Sequence, residues 1–287
     1  MLKQHVETIA AAFPRSSFHR KNLNRVADYI HKTWEEMGLS VMEQVFHMPD
    51  MGEVEEEFPY RNVIVQFSGD GSSKKLVIGA HYDAISNTPG ADDNASGIAG
   101  LIEIGRFLKE NSISTPVELV AYVNEEPPFF GTEGMGSVRH AQKLQKEAQK
   151  LLGMISLEML GYYSNQIGSQ KFPLNIMRYF YPKKGNFIAF VSTTKNFSLV
   201  RKARRAFSKS STFPVESFVG PAFIDGLISS DHYAYMIHGF PSMMITDTAY
   251  FRNENYHTPD DKPETLDYNS MAMVIEGICG MIKNWPK

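Results

Sequence analysis

Lys75-Leu76-Val77-Ile78-Gly79-Ala80 is a short apolar run that leads directly into His81-Tyr82-Asp83. Such a run reads as a strand buried on both faces, as in a parallel sheet. The same reading extends outward. Ala95 to Leu108 has helical periodicity, Val117 to Val123 (VELVAYV) is a second strand, and Gly136 to Gln149 is helical. Leu152 to Leu157, Phe187 to Val191 and Ser242 to Thr246 are further strands, and Ser198 to Phe207 and Asn269 to Ile282 are helices. Upstream, Leu23, Val26, Tyr29, Ile30, Trp34 and Met37 recur at helical spacing, with Gly38 as a C-terminal cap. Residues 40–47 and 61–68 read as strands joined by an acidic segment, Asp50 to Phe58, in which 54–57 forms a solvated loop or hairpin face. Apolar strands alternating with helices predict an α/β fold: a doubly wound, mostly parallel mixed sheet with helices on both faces. With no linker, repeat or low-complexity block, residues 1–287 are expected to form one domain.

The composition narrows the function. Of 287 residues, 43% are hydrophobic, enough for a full core and against disorder. The 29 basic and 32 acidic residues give a net charge of −3, so the broad basic surface that nucleic acid or an anionic membrane would require is missing. A single cysteine, Cys279, excludes an intrachain disulfide and favours a reducing compartment. The sequence contains neither a membrane-spanning run nor a secretory leader pattern, so the expected location is cytoplasmic.

In doubly wound sheets ligands bind beyond the carboxyl ends of the strands. Here those ends are polar. The first strand ends at His81-Tyr82-Asp83, the second at Asn124-Glu125-Glu126, the third at Glu158, and the last at Asp247, followed by Tyr256-His257-Thr258. Gly90-Ala91-Asp92-Asp93-Asn94-Ala95-Ser96-Gly97 lies between the first strand and its helix. Adjacent carboxylates such as Asp92-Asp93 and Glu125-Glu126 would repel one another in one pocket unless a cation neutralised them. His81, Asp93, Glu126, Glu158 and His257 supply two imidazoles and three carboxylates, a donor set suited to zinc. These are one ligand short of two three-ligand sites, and a bridging carboxylate would close the gap. Glu125 would then be spare, as a general base must be. Taken singly, each feature has an ordinary reading. A lone histidine (His5, His19, His31, His47, His140, His238) is a surface or core residue, a Glu-Glu pair is a solvated face, and Gly90 to Gly97 is a turn capping a helix. Their joint recurrence after successive strands is what points to a site.

At AHYDA, PGADDNASG, NEE, LEML, SDH (Ser230-Asp231-His232) and NYHTPDD the sequence resembles the co-catalytic zinc exopeptidases of metallopeptidase family twenty-eight. That family includes leucyl aminopeptidases, glutamate carboxypeptidase and glutaminyl cyclases. The resemblance implies two zinc ions, or another divalent metal. Asp93 would bridge them, His81 and Glu158 would complete one site, and Glu126 and His257 the other. It further implies Glu125 as general base and acid, Asp83 hydrogen-bonded to His81 to fix its tautomer, a cis peptide after Asp93, and a structural role for Asp231 and His232. Many members carry Asp where Glu158 stands, so the His81 site has a longer arm here and is expected to fill second. The implied reaction is hydrolysis of peptides at the N-terminus. The implied alternatives are a glutaminyl-peptide cyclotransferase with one zinc, a glutamate carboxypeptidase-like dipeptidase, and a metal-free binding protein. Tyr256 stands where the cyclases typically place Trp, and all five ligand positions are competent. The expected partner is a peptide or aminoacyl substrate, with oligomeric state left open. Phe129, Phe130, Met135, Phe223 and Tyr250 are candidates for a substrate pocket, and Arg252 for gripping a substrate carboxylate. There is no G-x-S-x-G, H-E-x-x-H or P-loop.

Overall fold

The structure is a computed structural model that describes residues 1–47, 58–70 and 74–286. The acidic segment between the first two strands therefore lies largely outside the described residues. Eight strands form one sheet: β1 (Val41–Phe46), β2 (Tyr60–Phe67), β3 (Lys75–His81), β4 (Val117–Tyr122), β5 (Leu151–Glu158), β6 (Ile188–Thr193), β7 (Val215–Gly220) and β8 (Ser242–Thr246). Their order is β1-β2-β4-β3-β5-β8-β6-β7. The centre, β4-β3-β5-β8, is parallel. The flanks are reversed: β2 is antiparallel to β4, and β6 to β8. The sheet is thus mixed, as the sequence predicts, and the carboxyl ends of its four central strands share one edge.

Among the described residues seven α-helices cover it: α1 (Leu2–Ala10), α2 (Arg20–Glu36), α3 (Gly97–Glu110), α4 (Gly136–Lys146), α5 (Phe197–Ser210), α6 (His232–Ile237) and α7 (Tyr268–Lys283). The alternation in β3 shows why both faces are covered. Leu76, Ile78 and Ala80 pack into the larger core with α1, α2, α3, α5 and α7, while Val77 enters a second core with α4 and α6. A strand with apolar residues at odd and even positions alike has no face to give to water. Helix α2 buries Leu23, Val26, Ile30 and Trp34 at three- and four-residue spacing. The chain leaves it through Gly38 at φ +75°, a left-handed conformation that favours glycine.

Candidate metal centre

Five segments bring the chemistry together at the carboxyl edge, the last being the loop after β8 that carries His257. β3 ends on His81 and β5 ends on Glu158, both buried. Glu125 and Glu126 follow β4, and a wide turn over Ala91–Ser96 carries Asp93. The Asp93–Asn94 peptide is cis. Two groups of possible metal ligands result: His81, Asp93 and Glu158, and Asp93, Glu126 and His257. Asp93 belongs to both. Its Oδ1 lies 3.3 Å from His81 Nε2 and its Oδ2 lies 3.0 Å from His257 Nε2. Glu158 Oε2 lies 3.4 Å from His81 Nε2, and Glu126 Oε1 lies 3.4 Å from His257 Nε2. Ligand atoms held about 2.0–2.1 Å from a tetrahedral zinc stand about 3.3 Å from one another, so these separations fit.

Unmet polar atoms give an independent test of that fit. His81 Nε2, His257 Nε2 and Glu126 Oε1 are buried and form no hydrogen bond. A buried polar atom without a partner costs about 1–3 kcal/mol, and here all three face the two ligand groups. Burial raises the Glu125 carboxyl well above its ordinary range, with Glu158 and Glu126 adding repulsion. Glu126 is pushed up to about 7 by burial and by Asp93. Burial also raises Glu158, while His81 opposes the rise. Burial works against Asp93 too, yet the imidazoles of His257 and His81 hold its carboxyl below the ordinary range. His257 is pushed up to about 10: burial disfavours its charge, but Asp93 and Glu126 outweigh burial. A carboxylate surplus of this kind in a largely buried site suits divalent cations.

The supporting contacts fix the ligands. Asp83 Oδ1 and Oδ2 accept the backbone N–H groups of Glu125 and Glu126, each at 3.1 Å. His81 Nδ1 lies 3.2 Å from the Asp83 carbonyl oxygen and 3.5 Å from Asp83 Oδ1. Asp83 thus orients the His81 ring chiefly through its backbone, and its carboxylate holds the Glu125-Glu126 turn. Ser230 donates to Glu158 Oε2 at 2.7 Å. The His257 ring stacks on Tyr256, centroid to centroid 3.7 Å. Asp92 turns away from both groups, accepting from Gly161 N–H and from the Asn253 amide. Asp231 and His232 are buried outside both groups, with His232 Nε2 bonded to the Leu227 carbonyl.

Two residues that sequence reasoning missed hold the Asp93 turn. Asp261 accepts the N–H groups of Asp92 and Asp93, at 2.9 and 3.1 Å. Arg15, fully buried, donates to the carbonyls of Tyr82 (3.0 Å), Gly90 (2.7 Å) and Pro89. Burial lowers its pKa to about 10, so it stays charged at neutral pH, where it also offsets nearby carboxylates including Asp261 and Asp93. Arg15→Leu should leave three buried carbonyls without this donor, at about 1–3 kcal/mol each. Urea unfolding should therefore show a loss of at least about 3 kcal/mol, and a loss below about 1 kcal/mol would refute that role.

The pocket expectations need correction. Arg252 is buried, donates to Gln170 Oε1 at 3.0 and 2.9 Å and lies over the Phe187 ring. It is already engaged and cannot grip a substrate carboxylate. Phe129 packs beside Tyr60, Met135 belongs to the second core with Phe130 packed against it, and Phe223 is exposed. Of the five, only Tyr250 lines the cavity beside Glu158.

An α/β sheet with two acid-and-imidazole groups at the ends of its parallel strands, sharing Asp93, has the donor set of a two-metal site. Residues 62–282 match the model of Peptidase family M28, and the chain belongs to that family, which is typically zinc-dependent. It is 41% identical to the uncharacterized protein YfbL of Escherichia coli (strain K12) over 94% of this chain and 83% of that one. It is 28% identical to a probable leucine aminopeptidase of Trichophyton verrucosum (strain HKI 0517) over 80% of this chain, and spans only 58% of that relative's length. Among solved structures, a leucine aminopeptidase precursor from Bacteroides thetaiotaomicron superposes with a TM-score of 0.72 at 17% identity, covering 99% of this chain and 96% of that one. A glutaminyl cyclase from the same organism superposes at 0.71 and 18% identity, with the same coverage. At such identities the likeness is one of fold. Among the described residues no helix is long and apolar enough to cross a membrane.

Proposed function

We propose that the protein is a zinc-dependent aminopeptidase that removes N-terminal residues from peptides. The observation that carries this reading is the pair of three-residue groups sharing Asp93, with three buried polar atoms left unmet between them. His81, Asp93 and Glu158 would hold one ion, and Asp93, Glu126 and His257 the other. Bound there, divalent ions would supply Lewis-acid polarisation of the scissile carbonyl and acidify water.

The chain's own residues do the rest. Glu125 lies in neither ligand group, and its Oε2 is 3.9 Å from His81 Nε2. Its raised proton affinity suits a carboxylate that takes a proton from attacking water and delivers it to the leaving amine. Asp83 keeps Glu125 in place through the backbone bond described above. Burial of His81, Asp93, Glu125, Glu126 and Glu158, with His257 half-buried at the edge, strengthens the charge interactions among them.

A free amine suits this site better than a free carboxylate. The cavity beside Glu158 contains one cationic residue among its described lining residues, Lys171, and that side chain is paired with Glu254 at 2.9 Å. This favours an aminopeptidase over a carboxypeptidase-like dipeptidase. Leucyl p-nitroanilide, a γ-glutamyl-free dipeptide with a blocked amine, and an N-terminal glutaminyl peptide should be compared on zinc-loaded protein. Hydrolysis of the leucyl substrate, none of the blocked dipeptide, and hydrolysis rather than cyclisation of any glutaminyl peptide consumed is the expected result. Hydrolysis of the blocked dipeptide, or cyclisation of the glutaminyl peptide without hydrolysis, would overturn the assignment.

Zinc loading should be stepwise. Glu158 must freeze one more torsion than an aspartate would, so the His81 side is expected to fill at the higher zinc concentration, with activity following that second step. Titration of zinc into apo-protein with parallel calorimetry and activity checks this, and full activity at one ion per chain would contradict it.

A further inference from the structure

The cavity beside Glu158 has a gradient in its walls. β6 and β7 run opposite to β8, so their first residues come to the same edge as the end of β5. The register makes a continuous row: Glu158 is level with Thr246, Thr246 with Ala189, and Ala189 with Glu216. Residues level on adjacent strands share a face. All four line the cavity, as does Asp225 beside Tyr250 at another part of its wall. The floor of this row is therefore small side chains, with a carboxylate at either end. Neighbouring strands lie about 4.8 Å apart, which puts Glu216 about 14 Å from Glu158.

The Glu216 carboxylate has no direct ion-pair partner among the described residues. Among the described residues its side chain makes no hydrogen bond or ion pair, and it stands only half buried beside Phe218. Burial raises its carboxyl above the ordinary range, with Arg204 opposing the rise from beyond ion-pair distance while it donates to the Val215 carbonyl at 3.4 Å. The cavity's own Lys171 is taken by Glu254. The walls between are apolar: Phe187, Val191, Leu227 and Met244. An apolar channel that ends on an unpaired carboxylate fits a long side chain with an aliphatic stem and a cationic head.

We infer that this cavity selects peptides with an N-terminal lysine or arginine, with Glu216 as the specificity-determining residue that receives the cationic head. The inference rests on the aminopeptidase reading above and sharpens it. A lysyl side chain reaches about 6 Å from Cα to Nζ, and a hydrogen bond adds about 3 Å. Together these span about 9 Å of the row, and the Glu216 side chain, reaching about 5 Å from its own Cα, spans the rest, whereas leucine ends near the start. Asp225 adds negative potential to the channel.

The test compares lysyl and norleucyl p-nitroanilides, similar in length and differing in the charge, on zinc-loaded protein. The lysyl substrate should be favoured in kcat/KM by about tenfold or more, and Glu216→Gln should lower the lysyl-to-norleucyl ratio by about tenfold or more. Because the readout is a ratio within one preparation, partial loss of folded protein does not alter it. A norleucyl preference in the parent, or a ratio that Glu216→Gln leaves unchanged, overturns the inference. If neither substrate is cleaved, the aminopeptidase reading fails, and calorimetry with lysinamide and norleucinamide then judges the pocket. Tighter lysinamide binding that Glu216→Gln abolishes supports it, and equal affinities overturn it.

Discussion

Glu125→Gln is expected to lower kcat by about 10²–10⁴-fold while leaving zinc content and thermal stability close to the parent's. The two side chains have the same shape, so the buried position remains filled. The two groups of possible ligands do not include Glu125, so the variant would retain all five side chains proposed to hold the ions. What disappears is the capacity to accept a proton. Glu125 combines burial with a proton affinity raised by that burial and by Glu158 and Glu126, and it lies beside His81 rather than among the ligand contacts. Turnover and zinc content must be measured on the same sample. Near-parental kcat would remove Glu125 from the proton transfer, and loss of zinc together with activity would make it a ligand.

Asp93→Ala is expected to lose both ions, and His257→Ala to lose chiefly one. Each oxygen of the Asp93 carboxylate faces a different imidazole, Oδ1 towards His81 and Oδ2 towards His257. Removing that carboxylate leaves His81 with Glu158, and His257 with Glu126. Two side chains hold zinc far more weakly than three. His257→Ala leaves the His81, Asp93 and Glu158 group complete. Zinc per chain after dialysis distinguishes the two variants. Two ions retained by Asp93→Ala would show that another group bridges. Asp92, the nearest carboxylate in sequence, is already committed to Gly161 and Asn253.

The central strands and long helices were legible because their burial is written in composition. β3, β4, β5, β6 and β8 are buried on both faces and mostly apolar, and β8 coincides with the sequence reading at both ends. β7 was not legible. It is an edge strand, half buried along most of its length, and Glu216 and Ser217 interrupt any apolar run. Helix α1 was missed because its buried side is only His5, Val6, Ile9 and Ala10 over nine residues. Helix α6 is six residues long, too short to show a period.

The candidate site was legible for a different reason: strand ends in a parallel sheet converge, so polar residues at those ends meet whatever the loops between them do. That argument selects His81, Glu125, Glu126 and Glu158 directly. It cannot select Arg15, whose strand-free segment lies far from the motifs in sequence, and an arginine in isolation reads as a surface residue. Asp261 shows the same limit. Its neighbour Asp260 is exposed while Asp261 is buried, and nothing in Pro259-Asp260-Asp261 distinguishes them. Arg252 misled in the opposite direction, since its cation is absorbed by Gln170, a partner 82 residues away.

The most direct test of the two-ion reading is zinc per chain measured together with hydrolysis of an N-terminal lysyl or leucyl substrate as zinc is restored to chelator-treated protein. The expected result is two ions bound per chain, with no activity in the apo-protein and activity rising as the second ion enters. Full activity in the presence of chelator, or a plateau with fewer than two ions bound, would contradict it.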